Sequence, residues 1–210
     1  MTVQLWVHVE AGGRVVTAVV APGPLTLVFD VETNGGSPQR CIELAFVVLD
    51  AVGREVDAFQ AYWYLPPGVC ISPGAARVHG IDDNKLKCEG VASGPGLARF
   101  FAWVDAVRAH PAGRVVAHNA AFDAPVVTRE AAALGWARAL DKADCLCTMR
   151  ASMAHEHWAD AAGRPKPPKN AELYARLHGA PPHWAKLHAA LDDVRITACN
   201  FRQGRARGWW

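Results

Sequence analysis

The sequence lacks the features that mark a membrane protein, an exported disulfide scaffold or a strongly basic nucleic-acid-binding protein. None of its 210 residues belongs to a run approaching the ~20 consecutive apolar residues that a membrane-spanning helix needs. Residues 1–9 alternate polar and apolar side chains instead of placing a basic segment before an apolar core. We therefore expect no signal peptide, no membrane partner and an intracellular location, cytoplasmic, nuclear or nucleoid-associated. The net charge is only +2, and 51% hydrophobic with 20% charged residues is typical of a folded globular domain.

Cysteine is present, but not in a pattern that implies disulfides or zinc. None of the six cysteines forms a CxxC pair, and without an export signal free thiols are the default. Cys145 and Cys147 are followed by His155 and His157, whereas zinc ligands are usually spaced as CxxC and HxxxH. We therefore predict a strand with alternating cysteines followed by histidines on a helix, and no zinc site.

The charges are unevenly distributed along the chain. Residues 1–149 hold 12 Lys/Arg against 15 Asp/Glu, whereas residues 150–210 hold 10 Lys/Arg against 5 Asp/Glu. A basic last third is typical of a surface that faces a polyanion, and equally of a solvated helix followed by a basic tail. Charge alone leaves both interpretations open.

Hydrophobic periodicity predicts a β-rich first half and an alternating α/β second half. The predicted strands cover residues 3–9 and 14–20 (a hairpin around Gly12-Gly13), 25–31, 40–50, 55–65, 114–118 and 143–148. The predicted helices cover residues 97–109, 121–134, 148–158, 171–177 and 189–201. We expect mostly loop over 66–96, a mobile basic proline-rich loop over 163–169 and a tail over 202–210. This order predicts an α/β protein with a mixed sheet flanked by helices.

A first acidic motif ends the most apolar predicted strand. Asp30 and Glu32 are two residues apart, so on a strand both carboxylates project from one face at its carboxyl end. Adjacent carboxylates repel unless a cation compensates them, and a pair of this kind suits Mg²⁺ or Mn²⁺. Taken alone, the same pair is also typical of surface acids before the Asn34-Gly35-Gly36 turn.

Two further acidic motifs lie later in the chain. One directly follows the predicted strand 114–118, and the other begins at the start of the last predicted helix. Asp123 falls in the first turn of a helix after the strand-to-turn segment His118–Phe122, where an acid also favours the helix dipole and Asn119 can act as an N-cap. His188 and Asp193 converge only if His188 lies on the loop before the helix, since five helical steps separate them by about 140°. A lone histidine there is otherwise typically an exposed helix-start residue.

Together, the three motifs resemble those of the DEDDh family of 3′–5′ exonucleases. This family includes polymerase proofreading subunits, three-prime repair exonucleases and RNA-trimming relatives. The resemblance spans about residues 25–202, and its motifs are Phe29-Asp30-Val31-Glu32-Thr33, His118-Asn119-Ala120-Ala121-Phe122-Asp123 and His188-x-Ala190-x-x-Asp193. The segment Val78-His79-Gly80-Ile81 is similar to one commonly found between the first two motifs.

The resemblance implies a ribonuclease H-like fold, that is, an α/β architecture with a mixed five-stranded sheet flanked by helices. Around this exonuclease domain (25–202) we expect an extra N-terminal β-hairpin (1–24) and a basic, Trp-containing C-terminal tail (203–210). The family also implies two Mg²⁺ or Mn²⁺ ions and His188 as general base. By analogy, Asp30 bridges both ions, Glu32 and Asp193 complete one site, and Asp123 holds the other.

The resemblance further implies which residues contact the substrate, a single-stranded 3′ end of DNA. Thr33 is expected to hold the terminal nucleotide through its backbone, Asn119 to contact sugar or phosphate, and His79 and Ile81 to pack on a base. Four basic residues are expected to guide the strand electrostatically without reading its sequence: Arg164, Lys166, Lys169 and Lys186.

Two other functions stay open at this point. The same fold can trim RNA, and no residue in the sequence indicates a site that requires the 2′-hydroxyl. A non-catalytic nucleic-acid-binding adaptor is the other alternative, although a binding module has no need for clustered carboxylates facing a polyanion. A polymerase partner and a homodimer are both left undetermined. We expect Trp209 and Trp210 to dock on the chain's own core or on a partner, with self-docking favoured.

Overall fold

The computed structural model describes residues 4–7 and 16–19, whose backbone forms two strands, and residues 23–210. The strands β1 (Gln4–Val7) and β2 (Val16–Val19) pair antiparallel with each other in a two-stranded sheet. The predicted turn at Gly12-Gly13 lies outside the described residues. The pairing of β1 with β2 is the arrangement that the sequence predicts for this segment.

The central sheet is the mixed five-stranded sheet that the sequence predicts. Its strands are β3 (Thr26–Thr33), β4 (Cys41–Leu49), β5 (Glu55–Tyr62), β6 (Arg114–Ala117) and β7 (Cys145–Cys147), in the order β5-β4-β3-β6-β7. The pairs β3–β4 and β4–β5 are antiparallel, whereas β6 runs parallel to β3 and to β7. The fold class is therefore confirmed. The carboxyl ends of β3 and β6 meet at one edge, where α/β sheets place ligands.

Seven helices surround this sheet in the described part of the chain. They are α1 (Pro73–His79), α2 (Asp83–Glu89), α3 (Ser93–Arg108), α4 (Ala120–Ala133), α5 (Thr148–Ser152), α6 (Asn170–His178) and α7 (Ala190–Ala206). Among the described residues, none of these helices has the length and apolar composition needed to cross a bilayer.

The alternation of side chains along β3 decides which helices each residue faces. Leu27, Phe29 and Val31 pack into the core built with α3 and α4, whereas Val28 packs into a second core built with α7. The next residues on the Val28 side, at two-residue steps, are Asp30 and Glu32. The same periodicity that buries the strand therefore turns both carboxylates toward the helix that carries Asp193.

The prediction of loop over residues 66–96 is wrong, because this segment contains α1, α2 and the start of α3. Each of the two short helices has a side-chain N-cap: Ser72 accepts from the Ala75 N–H, and Asp82 accepts from the Lys85 N–H. Pro73 occupies the first turn of α1, where its missing N–H costs nothing. These caps stabilise helices of seven residues, which are too short to show a clear periodic pattern.

Two other helix boundaries differ from the prediction. Helix α5 ends at Ser152, so His155 and His157 lie beyond it and not on it. Helix α7 continues to Ala206, well past the predicted end at residue 201, because its C-terminal half packs against the sheet. The segment expected to be a tail is therefore helical over most of its length.

The C-terminal tryptophan docks on the chain itself. The Trp210 ring stacks on Phe201 with centroids 6.4 Å apart, and its Nε1 donates to the Phe201 carbonyl at 2.9 Å. Gly204 makes the contact possible, since a Cβ at this position would lie 2.0 Å from the Trp210 ring. Of the two alternatives for Trp210, the structure shows docking on the protein's own core.

Candidate active site

The five acidic and histidine residues predicted for catalysis line a single open cavity. The cavity has a volume of about 410 Å³ and lies at the carboxyl end of β3. Strand β3 supplies Asp30 and Glu32, α4 supplies Asp123, and α7 with the loop before it supplies Asp193 and His188. Three motifs that lie far apart in sequence thus meet at one place.

Asp123 is held against the first motif by the backbone of β3. Its side chain is buried, and Oδ1 accepts a hydrogen bond from the Val31 N–H at 3.3 Å. Asn119, just before α4, adopts a left-handed backbone with φ 85° and makes no side-chain cap hydrogen bond. Asn119 therefore occupies the N-cap position of α4, as the alternative interpretation has it, but its side chain makes no cap hydrogen bond, and the residue also lines the cavity.

The loop before α7 carries His188 into the cavity. Two adjacent acids of α7 hold this loop, each by accepting a hydrogen bond from a different backbone N–H of the loop. The His188 N–H donates to Asp193 Oδ2 at 2.8 Å, and the Lys186 N–H donates to Asp192 Oδ2 at 2.8 Å. His188 has φ 63°, in the left-handed region. Asp192 fixes the loop, whereas Asp193 both fixes it and lines the cavity, as the 100° step between neighbouring helical residues requires.

Burial raises the pKa of each of the four carboxyls. It raises the pKa of Glu32 and that of Asp123 to about 8. Burial is also the largest cause at Asp30, whose pKa is raised well above its ordinary value, and the charges of Asp123 and Glu32 raise it further. The pKa of Asp193 is raised by burial and lowered in part by the His188 N–H. Such a cluster ionises readily only when a cation compensates it.

The donor set of the cavity fits a divalent cation. Glu32, His188 and Asp193 each offer one ligand atom, and these atoms lie within 4.8 Å of one another. Asp30 and Asp123 line the same cavity. None of the ion pairs within residues 23–210 involves any of these four acids. Carboxylate oxygens without a protein cation beside them are typical ligands of Mg²⁺ and Mn²⁺.

Of the predicted substrate-binding residues, Asn119 and Lys169 line the cavity. Thr33, His79 and Ile81 are buried beside it. The His79 ring accepts from the Ile81 N–H at Nδ1 (3.0 Å), and its Nε2 lies 3.2 Å from the Thr33 carbonyl. Because a carbonyl only accepts, the Nε2 atom carries the proton. The packing of His79 and Ile81 on a nucleobase stays a prediction.

Two of the four basic residues that are predicted to guide the strand form ion pairs with nearby acids. Arg164 pairs with Asp160 at 2.7 Å, and Lys166 pairs with Glu172 at 2.9 Å. Lys186 is exposed and contributes its backbone N–H to the loop before α7. Their role toward a nucleic acid stays a prediction.

His118 fastens the proline-rich loop to the cavity, a role that the sequence did not indicate. Its Nδ1 lies 2.9 Å from Thr148 Oγ1, and its Nε2 lies 3.0 Å from the Pro168 carbonyl. Nε2 therefore donates and Nδ1 accepts from the Thr148 hydroxyl, and burial lowers the pKa of His118 to about 4. Pro167 and Pro168 form a wall of the cavity as a result.

Glu43 is a second residue that sequence reasoning missed. It lies on β4 directly opposite Glu32, is almost fully buried, and accepts from Gln60 Nε2 at 2.5 Å. Burial, the largest cause, raises the pKa of Glu43, whereas hydrogen bonding from Gln60, Tyr62 and the Ala190 N–H opposes the rise. Glu43 therefore adds a negative charge beside Glu32 and, after burial, raises the pKa of that carboxyl further. Its sequence signal is an acid inside the otherwise apolar run CIELAFVVL.

Comparison with known proteins gives one family match and several structural neighbours. Residues 27–201 match the RNase_T exonuclease family model. A search of curated proteins found no match to the chain. Among solved structures, exonuclease I of E. coli in complex with a dA16 oligonucleotide has 17% identity and a TM-score of 0.64, covering 87% of this chain and 41% of that one. Exonuclease I of Methylocaldum szegediense has 20% identity and a TM-score of 0.65, covering 88% and 41%.

A third similar structure is the cell-death related nuclease CRN-4, with 14% identity, a TM-score of 0.67 and coverage of 89% of this chain and 65% of that one. At such identities these neighbours show the fold, which is ribonuclease H-like. The chain spans about two fifths of the length of exonuclease I. Fold and motifs together define a DEDDh exonuclease domain. The chain belongs to the exonuclease family, whose members generally use divalent metals.

Proposed function

We propose that this domain removes nucleotides one at a time from single-stranded or frayed 3′ ends of DNA. It hydrolyses the terminal phosphodiester and releases nucleoside 5′-monophosphates. The convergence of Asp30, Glu32, Asp123, Asp193 and His188 on one cavity carries this proposal. The structure of exonuclease I with a dA16 oligonucleotide favours DNA as the substrate class.

The four acids are suited to hold two Mg²⁺ or Mn²⁺ ions, with Asp30 shared, Glu32 and Asp193 on one ion and Asp123 on the other. When bound, the ions neutralise the anionic phosphodiester, activate a water and stabilise the leaving 3′-oxygen. Two observations support this assignment. The donor set is rich in oxygen, and the pKa values of Glu32 and Asp123 are raised, whereas a bound cation would lower them.

His188 is the general base of the proposed reaction. Its backbone N–H is bound to Asp193, so the ring stands beside the carboxylates while the main chain is fixed. Imidazole is the side chain whose ordinary pKa suits proton transfer at neutral pH. The ring accepts the proton of the attacking water as the new P–O bond forms, and the 3′-oxygen takes up a proton from solvent as its bond to phosphorus breaks. The ring then releases its own proton to solvent.

The assay that tests the proposed function is digestion of 5′-labelled oligonucleotides. We expect single-stranded DNA with Mg²⁺ or Mn²⁺ to give a ladder that shortens from the 3′ end. Blunt duplex DNA should be degraded more slowly, because the cavity must receive an unpaired end, and EDTA should stop the reaction. Zn²⁺ should not be required, since the proposed ligands are acids.

Parallel substrates separate the alternatives in the same assay. Faster degradation of single-stranded RNA than of DNA would assign the domain to RNA trimming. An adaptor without catalytic function would leave every substrate intact and need not bind Mn²⁺ at the acids. Tightly bound stoichiometric zinc in the purified protein would contradict the assignment of an acid-based metal site.

The raised pKa values predict how the metal-free protein responds to pH. The pKa values of Glu32 and Asp123 are about 8 in the folded protein, against values near 4 for unfolded carboxyls. Between about pH 6.5 and 8 the folded state therefore binds more protons than the unfolded state, and the free energy of unfolding falls as pH rises. His118, with a folded pKa of about 4, contributes the opposite slope, but only below this window.

Thermal unfolding in EDTA across this pH window measures the effect. We expect the melting temperature to fall toward pH 8 in EDTA and to stay nearly constant with saturating Mg²⁺, because the ions compensate the ionised acids. The Asp123→Asn variant should show a weaker fall in EDTA. A metal-free protein whose melting temperature rises through the window would contradict the raised carboxyl pKa values.

A further inference from the structure

A row of α6 side chains leads outward from the cavity. Asn170 lines the cavity, and its Nδ2 donates to the Asp193 carbonyl at 2.9 Å. Tyr174 and His178 follow Asn170 at four-residue steps, so the three side chains lie in one row along α6. Eight residues of helix rise about 12 Å, so the row leads that far from the acids.

Three aromatic rings form a connected platform along this row, and we call Tyr174, His178 and Trp184 the aromatic platform. The rings of Tyr174 and His178 stack with centroids 4.1 Å apart and planes inclined by 22°. Trp184 meets Tyr174 edge-on at 6.1 Å, and its Nε1 donates to the Tyr174 hydroxyl at 3.3 Å. The contact fixes Trp184 although 45% of the residue is exposed.

The aromatic platform is tied to the cavity by two separate chain segments. Tyr174 lies one helical turn beyond Asn170. Trp184 lies on the loop that carries His188, and the bond from the Lys186 N–H to Asp192 fixes that loop. An exposed indole held in place on a catalytic loop can contact a substrate that leaves the cavity along α6.

Positive charge lies at both ends of the aromatic platform. Lys169 lines the cavity at the near end. At the far end, the Arg207 guanidinium donates to the Leu177 carbonyl at 2.8 Å, next to His178. Cations flanking exposed rings match a chain of phosphates and unpaired bases, since base stacking on aromatic rings tolerates any sequence.

We propose that the aromatic platform stacks the unpaired bases immediately upstream of the terminal nucleotide, with Lys169 contacting the phosphates of the same single strand. This subsite rests on the proposed function, because it assumes that the 3′ end occupies the cavity. It selects unpaired strands, since bases within a duplex are already stacked on each other.

The test compares a substrate that reaches the aromatic platform with one that does not. The long substrate is an octathymidylate, and the short one is the 4-nitrophenyl ester of thymidine 5′-monophosphate. For Trp184→Ala we expect a KM for the octamer about tenfold higher, with little change in the KM or kcat of the ester. Fluorescence anisotropy of a labelled octamer in EDTA should show a matching rise in Kd. Trp184→Phe should restore most of the affinity.

Two controls make the result specific. Tyr64→Ala removes an exposed ring beside Gly90, away from α6, and should change neither KM. An octamer lacking the bases of its second and third nucleotides from the 3′ end should bind the wild type about as weakly as the intact octamer binds Trp184→Ala. The base deletions should weaken that variant little further, because the stacking partner is already gone.

Each remaining outcome decides a separate point. An octamer Kd and KM unchanged in Trp184→Ala would overturn the aromatic platform. An equal loss of turnover on the ester would also overturn it, since Trp184 would then act by shaping the His188 loop. A wild type that cleaves neither substrate would refute the proposed function, while the anisotropy comparison would still test the subsite.

Discussion

Replacing Asp30 by alanine is expected to lower turnover by about 10³-fold or more, because metal-ion stabilisation of a transition state is worth several kcal/mol and each 1.36 kcal/mol is a factor of ten in rate. Asp30 is the acid proposed to bridge both ions, so its loss affects both. The fold should survive. Burial is the largest cause that raises the pKa of this half-buried carboxyl, and the charges of Asp123 and Glu32 raise it further, so removing it relieves repulsion in the metal-free protein.

Steady-state turnover on single-stranded DNA and thermal unfolding in EDTA measure the two parts of this expectation. The melting temperature of Asp30→Ala in EDTA should equal or exceed that of the wild type. The neighbouring acids on α7 supply a matched control. Asp193→Ala should lose activity as Asp30→Ala does. Asp192→Ala should keep turnover within about tenfold, because the Asp192 side chain accepts from the Lys186 N–H and makes no other hydrogen bond within residues 23–210. Wild-type turnover in Asp30→Ala would refute the assignment of the site.

Replacing His188 is expected to lower turnover by roughly 10²–10⁴-fold, the usual range for losing a positioned proton acceptor. Binding of a single-stranded 3′ end should change much less, since the four acids stay in place. The pH–rate profile of the variant should also differ in shape from that of the wild type, because the group that accepts the proton is gone. Single-turnover rates measured against pH, with Kd from anisotropy, separate the chemical step from binding.

The backbone at His188 dictates which substitution is the sharper test. Its φ of 63° lies in the left-handed region, which asparagine tolerates better than alanine. His188→Asn therefore removes the imidazole with less strain in the loop that also carries Trp184. If His188→Ala and His188→Asn lose turnover equally, the loss is due to removal of the imidazole ring. If His188→Asn retains near-normal turnover and the same pH profile, another group is the base.

The patterns that predicted the fold are local ones. Alternation along β3 and the position of Asp30 and Glu32 at its carboxyl end predicted a shared face for both acids, since each residue's side is a matter of counting along the strand. Hydrophobic periodicity likewise predicted helices at the positions of α3 and α4. The capped helices α1 and α2 were missed, because seven residues held by Ser72 and Asp82 leave too short a pattern.

The resemblance to the DEDDh family indicated the five catalytic candidates, because their order and local contexts match its three motifs, whereas each motif alone left a structural interpretation open. Packing of distant segments decided the rest. The bond from Val31 to Asp123 joins residues 92 positions apart, and Ala190 and Val194 of α7 share a core with Ala45 and Val47 of β4. Trp184 and Tyr174 likewise meet only when the loop before α7 folds back on α6. Local periodicity determines the face on which a side chain lies. Burial of the two apolar cores brings those faces together, and the free energy gained by this burial depends on the whole chain.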